Sequence, residues 1–268
     1  CNRPMCTQCV VPTEVRSICV DCAGRGRGNL FGSARAARPR QWGSIRVSSQ
    51  TPIVTYAIIG VCVALWVGDI LTKGLITQYL GFTPIHGLYQ PWRILTTAFL
   101  HVNIMHIAFN MVSLYAIGRA LEPALGRGPY FCLYLLSALG GTLGVLGWVL
   151  IDPSSALTVT VGASGAIFGL FGSVFVLQRA AGIDVRAVVG LLAVNLLYGF
   201  IVSGVSWQAH LGGLLFGMLA TWGMLALGKP RSGMTAKKQR RRLYLGIAGM
   251  FLAELVILVV TYMVLLNI

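Results

Sequence analysis

Residues 162–179 read GASGAIFGLFGSVFVLQR. The stretch carries no charge before Arg179 and no proline, and its apolar residues show no strand-like alternation. Its length is close to the ~20 residues that cross a bilayer as an α-helix. Gly165 and Gly169 form a G-x3-G pair, which lets helix backbones approach closely in a membrane. The one nucleophilic side chain near its start, Ser164, sits where the first N–H groups of the helix lack partners.

The rest of the 268-residue chain fits this reading. It is 56% hydrophobic and only 10% charged, with 33 glycines. A soluble domain averages about 25% charged residues, so a soluble globular fold and a disordered chain are both excluded. Seven apolar stretches approach spanning length, at roughly 52–72, 98–118, 129–150, 162–179, 186–204, 207–227 and 244–266. The expected fold is an all-α polytopic membrane helix bundle. The segment between the first two spans carries Lys73, Pro84, His86, Pro91, Trp92 and Arg93, and is too aromatic for a plain loop. It is expected partly embedded at the membrane interface.

Charge position sets the expected topology. Basic residues fill the region up to Arg46, the second–third connection (Arg119, Arg127), the fourth–fifth connection (Arg179, Arg186) and the stretch Lys229–Arg242. Only Lys73 and Arg93 fall on the other side. The positive-inside rule then places the N-terminus in the cytoplasm and the C-terminus outside. It also accounts for the net charge of +14 without nucleic acid.

Polar residues inside such spans are costly and are functional candidates. In the second span Asn103, His106, Asn110 and Ser113 recur at spacings of 3, 4 and 3, on one helix face. The sixth span carries Ala209-His210-Leu211-Gly212-Gly213 and then Gly217. With all even-numbered spans entering from outside, Asn103, His106, Ser164 and His210 share one depth near the outer leaflet. Glycine packing alone would explain Gly165, Gly169, Gly213 and Gly217 but would leave the His210 imidazole without a partner. A serine nucleophile, a histidine base and an oxyanion site at a helix N-terminus account for it, with His106 and Asn110 as side-chain donors. No carboxylate lies at a suitable depth to orient His210, so the reading is a Ser–His dyad. Glu254, midway along the seventh span, is expected to face the bundle and hydrogen-bond to another helix.

The N-terminal region holds Cys6-x2-Cys9 and Cys19-x2-Cys22. Four thiolates suit a structural Zn²⁺; disulfides or free thiols are the other reading. Cys1 is left over, and the N-terminus is expected to be truncated or processed. The expected organisation is a Cys-rich module at 1–22, a basic linker at 23–50, a six-helix core at 51–228, and a basic loop with the seventh helix at 229–268.

Taken together the motifs resemble those of the rhomboid intramembrane serine proteases. They are His101-x4-His106-x3-Asn110, Gly162-x-Ser164-Gly165 and Ala209-His210-x2-Gly213, with Trp92-Arg93 and Glu122-x3-Gly126 beside them. The resemblance covers roughly 50–266. It implies a six-helix core with one helix added, Ser164 as nucleophile, His210 as general base, and His106, Asn110 and the Ser164 N–H around the oxyanion. Phe168 matches an aromatic position that supports the histidine ring, and Gly162 and Gly165 flank the serine. It implies no cofactor for catalysis and single-pass transmembrane proteins as substrates, cut near the outer face. The place implied is a bacterial plasma membrane. The Cys-rich head is similar to that of actinobacterial rhomboids with a small zinc-binding module. The alternatives are an inactive rhomboid-like protein that binds membrane clients, and a transporter or haem protein using His101, His106 and His210. The latter is disfavoured because the spans show no inverted repeat.

Overall fold

The apolar runs fold as helices in the computed structural model, which describes residues 10–12, 17–19, 41–42, 45–46, 51–202 and 204–267. Two units separate along the chain, Cys1–Pro39 and Arg40–Ile268. In the first, β1 (Val10–Pro12) pairs antiparallel with β2 (Ser17–Cys19), with Val11 opposite Ile18. The second begins with a short ladder of β3 (Gln41–Trp42) and β4 (Ile45–Arg46) and continues as an all-α polytopic helix bundle.

That bundle runs through α1 (Ile53–Leu71), three short helices α2 (Leu75–Leu80), α3 (Pro84–Gly87) and α4 (Arg93–Thr96), then α5 (Ile104–Leu125) and α6 (Arg127–Val149). It continues with α7 (Ser164–Ala180), α8 (Arg186–Ile201), α9 (Trp207–Gly228) and α10 (Ala236–Leu265). Five of these, α1, α5, α6, α9 and α10, are long and apolar enough to cross a membrane by length and composition. The 17-residue α7 rises only roughly 26 Å, less than the ~30 Å of a hydrocarbon core. A helix that short can start below one membrane surface, and Ser164 is its first residue.

Two helix boundaries differ from the hydropathy reading. The second span was expected over 98–118, whereas α5 occupies Ile104–Leu125. Its start is set by Asn103, whose side chain accepts the His106 N–H at 2.8 Å, so the apolar residues before it form a loop. Its end runs past Arg119 because the polar groups there are engaged. Arg119 donates to the Tyr115 hydroxyl (3.0 Å), and Glu122 caps another helix. The seventh span was expected from 244, but α10 begins at Ala236, because the basic residues Lys237–Arg242 are good helix formers.

Glu122 ties the first span to the second. Its carboxylate is 2% exposed and accepts the N–H groups of Val54 (2.9 Å) and Thr55 (2.8 Å) and the Thr55 hydroxyl (2.8 Å). These amides belong to the first turn of α1, where N–H groups have no intrahelical acceptor and negative charge is favoured. Four residues on, Gly126, with φ +85°, is the single residue between the end of α5 at Leu125 and the start of α6 at Arg127. A one-residue connection of that conformation is open to glycine and strained for any other residue.

The centre of the bundle is the contact of α6, α7 and α9. Gly165 and Gly169 of α7 face Gly213 and Gly217 of α9, close enough that a β-carbon on Gly213 or Gly217 would overlap the opposite backbone. A third glycine row, Gly140, Gly141 and Gly144 of α6, completes the contact against α9. Glu254 of α10 is buried at 4% exposure, as its expected inward orientation requires, but its carboxyl makes no hydrogen bond among the described residues. The interhelix bond expected of it is absent there. Apolar neighbours on both sides of it, Ile247 and Leu258, hold α10 in place.

Candidate active site

Three chain segments meet around Ser164. The first residue of α7 is reached through an extended stretch that is fixed on both sides. Thr160 exchanges two backbone hydrogen bonds with Phe82 (3.1 and 2.7 Å), and its carbonyl also accepts from the Thr97 hydroxyl. The Gly162 N–H donates to the Thr97 carbonyl at 3.0 Å. Gly162 has φ +138°, and a β-carbon there would stand 2.8 Å from His106 Nε2 and 3.5 Å from Ser164 Oγ. Only glycine lets the His106 ring and the serine hydroxyl share this corner.

His210 is on the first turns of α9, six per cent exposed, and its Nε2 lies 2.9 Å from Ser164 Oγ. The distance lets the serine hydroxyl donate to the ring. The imidazole stacks on Phe168, one turn into α7, with centroids 4.1 Å apart and planes 10° from parallel. Its other nitrogen, Nδ1, is buried against Gly199 of α8 and has no partner among the described residues. Among the described residues no carboxylate bonds it.

His106 lies beside Gly162 at the start of α5. Asn110 is one turn deeper, buried, and its amide donates to the His106 carbonyl at 2.9 Å. No hydrogen bond joins Asn110 to Ser164 or His210. Gly165 sits behind the serine, where a β-carbon would be 3.2 Å from the Ala209 carbonyl. His101 was noted in the sequence as part of a motif and in the haem or transporter alternative. It is 2% exposed and packs edge-on against His106 at 5.1 Å, with neither ring nitrogen bonded among the described residues. Asn103 belongs to the same helix face as His106 by spacing, but it acts as the cap of α5.

The supports of this corner were not legible from spacing. Arg93 donates to the Gly81 carbonyl (2.7 Å), Thr142 of α6 to the Ile94 carbonyl (2.8 Å), and Tyr134 of α6 to the Ala98 carbonyl (2.9 Å). The first closes the segment around α3 and α4 on itself, and the two α6 donors fasten it to the bundle. Each donor meets a backbone carbonyl 12 to 48 residues away, beyond the three- and four-residue spacing of a helix, so no local pattern marks it.

The metal reading falls elsewhere in the chain. Cys6, Cys9 and Cys22 lie outside the described residues, and Cys19 is described only as the last residue of β2. Among the described residues no group of three or more His, Cys, Asp or Glu side chains could hold a metal ion.

Comparison with known proteins identifies the family. The family model for the Rhomboid domain matches residues 88–227, which include Ser164 and His210. The chain belongs to the rhomboid family. It is 34% identical over 184 residues to the putative rhomboid protease YdcA of Bacillus subtilis, covering 64% of this chain and 87% of that protein. It is 34% identical over 155 residues to rhomboid protease GluP of the same organism, covering 55% of this chain but 28% of that longer protein. It is 30% identical over 152 residues to rhomboid protease AarA of Providencia stuartii, covering 48% of this chain and 54% of that one. The chain therefore spans about a quarter of GluP and most of YdcA. With its family and its apolar helices, this rhomboid is a multi-pass membrane protein.

Proposed function

We propose that the chain is an intramembrane serine endopeptidase that cuts transmembrane protein substrates with a Ser164–His210 dyad. The observation that carries this reading is the 2.9 Å approach of His210 Nε2 to Ser164 Oγ at the start of α7. The proteases named among its relatives support the same activity.

The chemistry follows from the positions. Nε2 of His210 takes the Ser164 proton as Oγ attacks the scissile carbonyl carbon. The oxygen becomes an oxyanion in the tetrahedral intermediate. The unpaired N–H at the start of α7, the His106 ring and the Asn110 amide are assigned to stabilise it. The protonated His210 then gives its proton to the leaving amine, and an acyl–Ser164 ester remains. Water, deprotonated by the same ring, attacks that ester; the bond to Ser164 Oγ breaks, the ring returns the proton to Oγ, and the second product leaves as a carboxylic acid. Phe168 holds the imidazole in plane while its charge changes.

The positive-inside distribution supports a cytoplasmic N-terminus and an outer-face active site, and the bacterial relatives support residence in a bacterial plasma membrane. Single-pass membrane proteins are the proposed substrates, reached through the lipid bilayer, with no role for nucleic acid. Cleavage needs no cofactor on this scheme. A structural Zn²⁺ on Cys6, Cys9, Cys19 and Cys22 rests on spacing alone, and metal analysis of the purified chain tests it.

The test of the main proposal is a fluorophosphonate probe on the detergent-solubilised protein, with comparison of shed membrane-protein ectodomains. Labelling confined to Ser164, absent in Ser164→Ala and His210→Ala, and loss of shedding with Ser164→Ala are expected. Labelling that survives His210→Ala at the unmodified rate would sink the dyad.

A further inference from the structure

The last helix reaches the segment that positions the nucleophile. Tyr262 lies near the C-terminal end of α10, 8% exposed, and its hydroxyl donates to the Pro84 carbonyl at 3.0 Å. Gly87, at the end of α3, is in direct contact with the same hydroxyl, so that a β-carbon there would overlap it. Pro84 and Gly87 bound one short helix, and Phe82 lies two residues before it, fully buried in the core cluster that contains Tyr262 and Leu258.

From Phe82 the path to the serine is a chain of backbone bonds. Phe82 pairs with Thr160 through two hydrogen bonds, Thr97 bonds the Thr160 carbonyl, and its own carbonyl receives the Gly162 N–H. Gly162 borders both His106 and Ser164 Oγ. Nothing else on α10 approaches the site by a hydrogen bond, since Glu254 is unpaired among the described residues.

We propose that Tyr262 is a positioning residue for the catalytic serine. Through Pro84, Gly87 and Phe82 it fixes the 160–162 stretch and so the Ser164 hydroxyl relative to His106 and His210. The seventh helix is then part of the machinery that aligns the site rather than an appended anchor. The inference rests on the proposed peptidase activity for its kinetic consequence, but not for the coupling itself. Small misplacement of a reacting group by a remote change lowers turnover far more than it lowers affinity.

Two readouts test it on the full-length protein. Tyr262→Phe removes one hydroxyl and keeps the ring in its core cluster. It is expected to lower kcat roughly ten-fold with KM unchanged. Gly87→Ala, which pushes on the same contact from α3, should do the same, and the double variant should be no worse than either single one. Independently of activity, hydrogen exchange of the Thr160 and Gly162 amides should speed up in Tyr262→Phe. A Tyr262→Phe protein with a lowered melting temperature but unmodified kcat overturns the proposal, as do additive effects of the two variants. Unchanged exchange at Thr160 and Gly162 overturns it whatever the turnover. If the unmodified chain shows no Ser164-dependent cleavage, the peptidase reading fails, and the exchange readout alone still decides the coupling.

Discussion

The His210 imidazole lies flat on the Phe168 ring, centroids 4.1 Å apart, so one residue of α7 sets the plane of a ring carried by α9. Both rings are buried, and Phe168 is one turn from Ser164 on the same helix. A single helix therefore supplies the hydroxyl and also the surface that aims the histidine at it. An aromatic pair of this kind adds about 0.5–1.5 kcal/mol beyond its buried area. Phe168→Ala is expected to lower turnover by up to about ten-fold while sparing expression and fluorophosphonate reactivity at long times. Phe168→Tyr should be close to silent. Turnover of the alanine variant equal to the unmodified protein would remove the assigned role.

Asn110 is assigned to the oxyanion, and its amide also donates to the His106 carbonyl. One such donor is worth roughly 3 kcal/mol in the transition state, so Asn110→Ala should cut kcat about 100-fold without abolishing it. Steady-state kinetics on a transmembrane peptide decides this. An effect confined to KM would show that Asn110 serves substrate binding instead.

Gly213→Ala tests the helix contact beneath the site. Its β-carbon would overlap the Gly165 carbonyl, and neither backbone has a flexible atom to yield. Overpacking of this kind costs about 1–3 kcal/mol or more, and here it would also pry α9, with His210, away from Ser164. Lower thermal stability and lower turnover should appear together. Gly249→Ala on α10, where nothing lies within 4 Å, is the control and should leave both unchanged.

Glu254 leads to an outcome opposite to what its sequence position suggested. A buried carboxyl without a bonded partner among the described residues does not stabilise the helix that carries it. Glu254→Leu should keep or raise the melting temperature, by an amount corresponding to about 1 kcal/mol, with turnover intact. Thermal denaturation in detergent measures it. A drop of several degrees would mean that the carboxyl does hold α10.

The sequence by itself determined the class of the molecule and singled out the residues proposed to carry its chemistry. Apolar run length reports membrane helices because a bilayer has one thickness and every backbone group in it must be bonded internally. Ser164, His106 and His210 stood out because polar side chains in such runs need a reason. The G-x3-G pairs on α7 and α9 were legible for the same cause, since small residues at helical spacing mark close helix contact. Only the tertiary structure decided what these residues touch. Asn103 became a helix cap, Glu122 closed the first turn of a different helix, and Glu254 found no bonded partner among the described residues. The alignment of Ser164 came to depend on Phe82, Thr97, Thr142 and Tyr262. These contacts join groups 48 to 178 residues apart, as with Thr142 to Ile94 and Tyr262 to Pro84. Helical periodicity relates a residue only to its neighbours three and four positions away, so what lies across the bundle is written in the packing and not in the local pattern.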